Sequence, residues 1–509
     1  MVLDVDEAVK LAQRLAPKAE AEWERLRPFH RYHRGEHEDP YTPRGASPEY
    51  KALIKRAKTN LMPGVVRGVT QRLYVDGYRP SRPQAGQPGG DSGEPGATGR
   101  DAPAWAHWQR NRMDRRQKTL YELGGIFGYV YGSVLRADDD PNDPIIRPRS
   151  PLAWYGERDE PDDVWPRYMY RKQGKRVTLV DDEAVYRLHE VDLPGVGTTL
   201  EPLLDDPDAE DSWISEHGVM FEGEPICPFR YISVDPAAVD DAPQGDIEVA
   251  RPVQDRLNQT VFDLLLAQTY SSRKVRIISG IAAPEDPSGE PGPDEFEDDP
   301  TPTAEQALAR EAKRQMDERR MPHELQDDRI IVLESTDAKA TTLPESNLEQ
   351  LIAAVGNCIR VYGVISSTPP HDLLGELVNI AAEGLQSAET ARSFKVADRR
   401  EMFGEGIEDM LLVAAGIAGD AGAASDERAQ LIWRVTDPRS FGQTVDGLGK
   451  MAQMLDIPVE FLWTMVPGVT QDDIAEMTRL RESEDPIETA RRELRDVDDE
   501  VPAGGVPAA

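Results

Sequence analysis

The side chains able to do chemistry are few and scattered. His30, His33 and His37 stand at i, i+3 and i+7 in "FHRYHRGEHED", a spacing that shares one helical face and would suit a metal ion. Gly35 interrupts that segment and its surroundings turn from basic to acidic, so a solvated or interface cluster is the better reading. His371-Asp372 follows two prolines and has the makings of an acid–base pair, but no nucleophile accompanies it. Cys358 falls in a helical pattern and reads as a small core residue. Gly124, Gly125, Gly128 and Gly132 form neither a P-loop nor a dinucleotide fingerprint, and they read as tight helix-to-strand packing. There is no His-Glu-x-x-His, Cys-x-x-Cys or Gly-x-Ser-x-Gly, and a dipeptide such as Asp181-Asp182 says little in so acidic a chain. The expectation is a protein that is not an enzyme, with no catalytic residue, metal site or cofactor.

Composition narrows the class. At 509 residues the chain exceeds a single typical core, so two or more lobes are expected. Its 93 acidic against 59 basic residues give a net charge of -34. Such a chain will not grip nucleic acid over a broad face, which needs clustered Lys and Arg, although it can surround DNA without holding it. Only Cys227 and Cys358 occur, which excludes a disulfide framework and points to a reducing compartment. The N-terminus, "MVLDVDEAVKLAQRLAPKAE", is amphipathic and acidic, unlike a signal peptide, and no run approaches the ~20 apolar residues of a membrane span. The chain therefore reads as cytoplasmic, with no membrane partner.

The elements that must position these residues follow from periodicity. Residues 1–78 read as helical, with Leu61, Val65, Val69 and Leu73 on one face. The stretch 81–103 is a Gly/Pro-rich loop, and a helix resumes at "AWAHWQRNRMDRRQ". Between about 127 and 240 short aromatic and β-branched runs alternate with Pro, Asp and Gly, the mark of an α+β lobe. A helix follows from 246, and Pro252 either moves its start to near Arg251 or kinks it. "VRIISGI" and "RIIVLES" read as strands, separated by an acidic loop (283–300, eight acidic residues and no basic one) and a short helix (303–319). Leu348, Leu351, Ile352, Val355 and Ile359 mark another helix, which is expected to stop at Gly363. Past Pro369 and Pro370 a long helical phase runs to about 417, and two or three short helices precede a charged tail. The fold class is α+β, mainly helical.

This order resembles that of the portal proteins of tailed bacteriophages, the type common in phages of Gram-positive and actinobacterial hosts. "RVYGVISSTPPHDLLGE" is similar to that family's helix entering a Thr-Pro-Pro loop. "NIAAEGLQSAETARSFKVADRREMFGEGIEDMLLVA" resembles its long helix, and "GEPICPFRYISVD" its strand before the first stem helix. "LYVDGYRP" with "WAHWQRNRMDRRQ", and "DIPVEFLWTMVPGVTQDDI", resemble further segments in the family's order, from about residue 60 to 475. Pro252 and the inserts at 81–103 and 283–300 depart from the pattern.

The resemblance implies a wing (1–245), a first stem helix (246–274), a clip (275–335), a second stem helix (345–362), a tunnel loop (363–376), a long wing helix (377–418), a crown (420–482) and an acidic tail (483–509). It implies a homo-oligomeric ring of about twelve subunits at one capsid vertex, the channel for DNA packaging and ejection. The partners implied are the terminase large subunit, the head–tail connector, the major capsid and scaffolding proteins, and double-stranded DNA passing without sequence specificity. The location implied is the virion, after assembly in the host cytoplasm. Ser366, Ser367, Thr368, Pro369, Pro370, His371 and Asp372 would then form the loop facing the DNA, two prolines keeping it stiff and extended. Two rivals stand beside this reading: a monomeric acidic scaffold or adaptor of virion assembly, and a metal-dependent nucleic-acid enzyme, which would need a carboxylate cluster. The plain alternative for the loop is a helix–turn–helix connector packed within a monomer.

Overall fold

The first helix, α1 (Val5–His33), starts on a capping box: the Glu7 amide donates to Asp4 Oδ1 at 2.8 Å and the Asp4 amide to Glu7 Oε2 at 3.1 Å. The computed structural model to which it belongs describes residues 2–81, 103–137, 139–193, 197–204, 212–238, 241–271, 276–279, 330–333, 339–342, 348–369, 372–373, 382–434, 441–463, 465–466, 469 and 471–483. The loop expected at 81–103 (its ends apart), the acidic loop 283–300, the helix 303–319, Pro370, His371 and the tail beyond Ser483 lie outside these residues. The chain divides into two units, Met1–Glu38 with Thr59–Arg256 and Cys358–Ala509, and Asp39–Lys58 with Leu257–Asn357.

In the first unit α1 buries a stripe of Ala8, Ala12, Leu15, Ala19 and Trp23 against a six-stranded antiparallel sheet. That sheet runs β4 (Tyr155–Glu157), β5 (Tyr168–Gln173), β6 (Arg176–Val180), β7 (Ala184–Leu193) and β8 (Gly197–Pro202), with β9 (Ile214–Glu216) also on β7. A second sheet places β2 (Tyr129–Arg136) between β3 (Pro144–Arg149) and β12 (Phe229–Ser233). Across it lies the longest described helix, α8 (Ala382–Ile417), whose Phe403, Ile407, Met410 and Leu411 share a core with Val130, Val134 and Ile232. The glycines of the sequence reading belong to this packing. A Cβ on Gly132 would stand 2.0 Å from Met410 Sδ. Gly128 ends α5 (Met113–Phe127) at φ +87°, where a Cβ would stand 2.6 Å from the Pro243 carbonyl oxygen.

Two segments depart from the expected helices. Val75–Arg79 is a strand, β1, paired antiparallel with β16 (Gln430–Trp433), so Tyr78 faces Leu431. The helical periodicity before it belongs to α3 (Met62–Thr70), which stops at Gln71. The three short C-terminal helices are Phe441–Leu455, Val459–Trp463 and Gln471–Ser483.

The helix α6 runs Asp246–Ser271 with Pro252 inside it, so a start near Arg251 is excluded. Asp246 and Glu248 lie in its first turn, where carboxylates suit the positive end of the helix dipole.

In the second unit the helix α2 (Pro48–Ala57) is capped by Ser47, whose Oγ accepts from the Tyr50 amide at 3.2 Å. Its Ile54 and Ala57 bury against Phe262, with Tyr50 edge-on to the Phe262 ring at 5.0 Å. A three-stranded sheet sets β13 (Arg276–Ser279) parallel to β14 (Ile330–Leu333) and antiparallel to β15 (Lys339–Thr342). The first two are the strands read from sequence; the third was not expected.

The helix α7 (Leu348–Ser366) corrects another expectation. It is long and apolar enough, by length and composition alone, to cross a membrane, with only 17% of its most apolar window buried. Glu349 and Arg360 are its sole charges.

Candidate functional site

The site is the C-terminal end of α7 and the chain that leaves it. A helix end must find donors for its last carbonyls. Here the Thr368 amide donates to the Gly363 carbonyl at 2.9 Å and the Ser367 amide to the Val364 carbonyl at 3.3 Å. These are the two bonds of a Schellman motif, and Ser367 occupies its left-handed position at φ +55°, where glycine is usual. Ser366 Oγ donates back to the Tyr362 carbonyl at 2.8 Å. Pro369 follows and has no N–H with which to continue the ladder. The Asp372 amide then donates to the Pro369 carbonyl at 3.1 Å, turning the chain. The helix therefore ends three residues beyond Gly363, because the cap at Ser367, rather than the glycine, stops it.

That geometry decides where the expected loop residues point. Ser366 and Thr368 are 3% and 4% exposed, and Pro369 is buried. Their side chains thus pack against their own unit in the single chain. Thr368 lies against Gly68 of α3, whose added Cβ would stand 3.9 Å from Thr368 Oγ1. Ser367 is half-buried and Asp372 is exposed. Pro370 and His371 lie outside the described residues.

One row of cations on α8 holds these pieces. Arg392, Lys395 and Arg399 stand at i, i+3 and i+7, which is one helical face. Lys395 Nζ donates to the Ser366 carbonyl at 3.2 Å, at the negative end of the α7 dipole. The same ammonium lies 2.8 Å from Asp246 Oδ1 at the start of α6, and Arg399 Nη2 reaches that oxygen at 3.0 Å. Arg399 also donates to the Val234 carbonyl. Asp246, with Lys395 and Arg399, borders a cavity of about 230 Å³ together with Val234, Ile365 and Ser366. Arg392 pairs with Asp372 through Nη1 and with Glu389 through Nε and Nη2, and Arg72 reaches Glu389 Oε2 at 2.7 Å. Arg392 and Glu389 side chains are 4% and 7% exposed, so each buried charge stands beside an opposite one. Beneath them Tyr362 donates to Met62 Sδ at 3.3 Å, and burial pushes its phenol well up from the ordinary value.

The other chemistry-bearing residues do not converge. His37 lies past the end of α1, its Nε2 3.1 Å from the Tyr32 carbonyl, while His30 stacks on Phe127. Among the described residues no group of three His, Cys, Asp or Glu is placed to hold a metal. Cys227 and Cys358 are buried and form no disulfide, and burial pushes the thiol of Cys227 well up. Asp181 ties a turn, accepting from the Glu183 and Ala184 amides and from the Tyr186 hydroxyl. The sequence reading did not single out the cation row. Its signal was legible: three cations at i, i+3 and i+7 in an otherwise acidic chain.

Helix ends and a loop are thus gathered by a row of paired charges, in a mainly helical α+β fold. The matching family model is described as phage portal protein, SPP1 Gp6-like, and it covers residues 13–489. The chain belongs to that family: it is a bacteriophage portal protein, a structural component of the virion that serves DNA packaging. No curated protein matches the chain.

Proposed function

We propose that the chain assembles into a closed ring at one capsid vertex, with about twelve copies as portal rings usually have, and that DNA enters and leaves through its axis. The match over residues 13–489 is the observation that carries this reading. The exposed apolar side chains of α7 support it: Ile352, Val364 and Ile365 are 57%, 79% and 39% exposed in the single chain, surface that a neighbouring subunit would cover. The net charge of -34 suits a channel wall, because an acidic lining keeps contacts with phosphates weak and sequence-blind. The segment 363–376 is then the tunnel loop, in which Ser367 is half-buried and Asp372, paired with Arg392, is exposed. The clip at 275–335 is the docking face for the terminase large subunit during packaging and for the head–tail connector afterwards. Capsid and scaffolding proteins surround the ring, which assembles in the host cytoplasm without a membrane step or catalysis of its own.

Native mass by light scattering, with negative-stain imaging, tests this. The expected particle is a ring with an axial hole, formed by the chain alone or once scaffolding and capsid proteins are added. A persistent 56.6 kDa monomer under both conditions would overturn the ring.

A further inference from the structure

We infer that Arg392 is the positioning residue for the far side of the tunnel loop: through Asp372 it clamps the described residues beyond Pro369 to the long helix. This rests on the proposal that 363–376 faces the channel.

Three observations carry it. The first is the division of the Arg392 fork. Glu389 takes its Nε and Nη2 edge, and Arg72 in turn holds Glu389 at 2.7 Å. Nη1 is thereby left aimed at Asp372, and the guanidinium is fixed before the loop arrives. The second is the contrast in exposure along that contact. The Arg392 side chain is 4% exposed and that of Asp372 is 41% exposed, so the anchor is buried and only the loop's half of the pair meets solvent. The third is that both sides of the loop are tied. On the near side Lys395 holds the Ser366 carbonyl, and Thr368 and Pro369 are buried. On the far side Leu373, next to Asp372, packs against the core around Met62 and Tyr362. Among the described residues these ties lead to α8 and to the core beneath it.

A lysine could not replace Arg392. One ammonium is a single point charge and cannot present separate edges to Glu389 and Asp372. Charge alone would predict the opposite, that Arg392→Lys is silent.

Hydrogen exchange of the amides at Ser367, Thr368, Asp372 and Leu373 in the full chain tests the clamp. Asp372→Asn and Arg392→Lys are each expected to speed exchange there by up to roughly fivefold, the scale of one partly exposed ion pair. Asp372→Glu is expected to restore protection, and raising salt to shrink the gap between the parent chain and Asp372→Asn. A plain loss of fold is separable, because it would speed exchange in α1 and the sheets as well. Unchanged exchange in Asp372→Asn, or a silent Arg392→Lys, overturns the clamp. Packaging is scored separately as the fraction of DNA-filled heads, expected to fall in Asp372→Asn although rings form. Faster exchange with normal filling overturns the loop's positional role. Failure of the parent chain to form rings would strike the portal reading and leave the exchange result standing.

Discussion

Replacing Asp246 with Asn should be among the most damaging conservative changes in this protein. The carboxylate sits at the first turn of α6, 7% exposed, and its Oδ1 receives Lys395 at 2.8 Å and Arg399 at 3.0 Å. Asparagine keeps the volume and an acceptor oxygen, so what is lost is the negative charge. At an effective dielectric of about 20, each such contact has a Coulomb attraction of ~4 kcal/mol, most of it offset by desolvation of the partners. Removal leaves two cations facing each other in a largely buried place. Breaking a buried pair by taking one partner costs about 3–5 kcal/mol. Arg399 keeps the Val234 carbonyl and Lys395 the Ser366 carbonyl, which places the expected loss near the lower figure. That is still a large share of the 5–15 kcal/mol typical of a domain. Urea unfolding followed by far-UV circular dichroism is the assay, read as a fall in midpoint at unchanged slope. The double variant Asp246→Asn/Lys395→Met should recover part of the loss, because the unpaired ammonium goes with it. A loss below about 1 kcal/mol, or a double variant no better than the single one, would refute the view that these charges carry the junction.

Gly132→Ala should destabilise by about 1–3 kcal/mol, since its methyl would stand 2.0 Å from Met410 Sδ, and adding Met410→Ala should relieve much of the clash; thermal unfolding of the double-mutant cycle checks this. Ser367→Gly should stabilise by ~0.5–1 kcal/mol by removing the cost of a left-handed serine at φ +55°, read as a higher urea midpoint. His217 is buried, with Nε2 3.0 Å from the Asp181 carbonyl and Nδ1 accepting from the Val219 amide, so the neutral ring fits and burial holds its pKa below 6.5. The unfolded chain therefore binds the proton more readily, and stability present above about pH 6.5 is lost as pH falls from there through the folded value. Melting temperature should drop from pH 7 to 5, and less steeply in His217→Gln; the half-buried His33 and His107, shifted the same way by burial, account for a remaining slope.

Much of this protein was determined locally and could be read from its sequence. The stripe Ala8, Ala12, Leu15, Ala19 makes α1 because those residues share one face at 3.6 residues per turn. The same period marks α6, α7 and α8, and the glycines before and within β2 announced close packing before its partner was known. The order of those elements, with the Thr-Pro-Pro segment among them, resembles that of the portal family, and the family match agrees.

What depends on distant partners was not legible. Val75–Arg79 and Gln430–Trp433 are each too short to declare themselves, and each becomes a strand only because the other lies beside it. The resemblance put Ser366 and Thr368 in a loop facing DNA; their burial in the single chain follows from the left-handed turn at Ser367, which no local pattern announced. The cations Arg392, Lys395 and Arg399 were visible as a row, but a row does not name its counter-charges. Glu389 is a local partner, three residues before Arg392 on the same helix, but Asp246 and Asp372 were two acids among 93, and folding chose them by bringing the start of α6 and the turn after Pro369 to that helix face. Local propensity is a property of neighbours in the chain, whereas a buried charge is fixed by whatever the tertiary fold places opposite it.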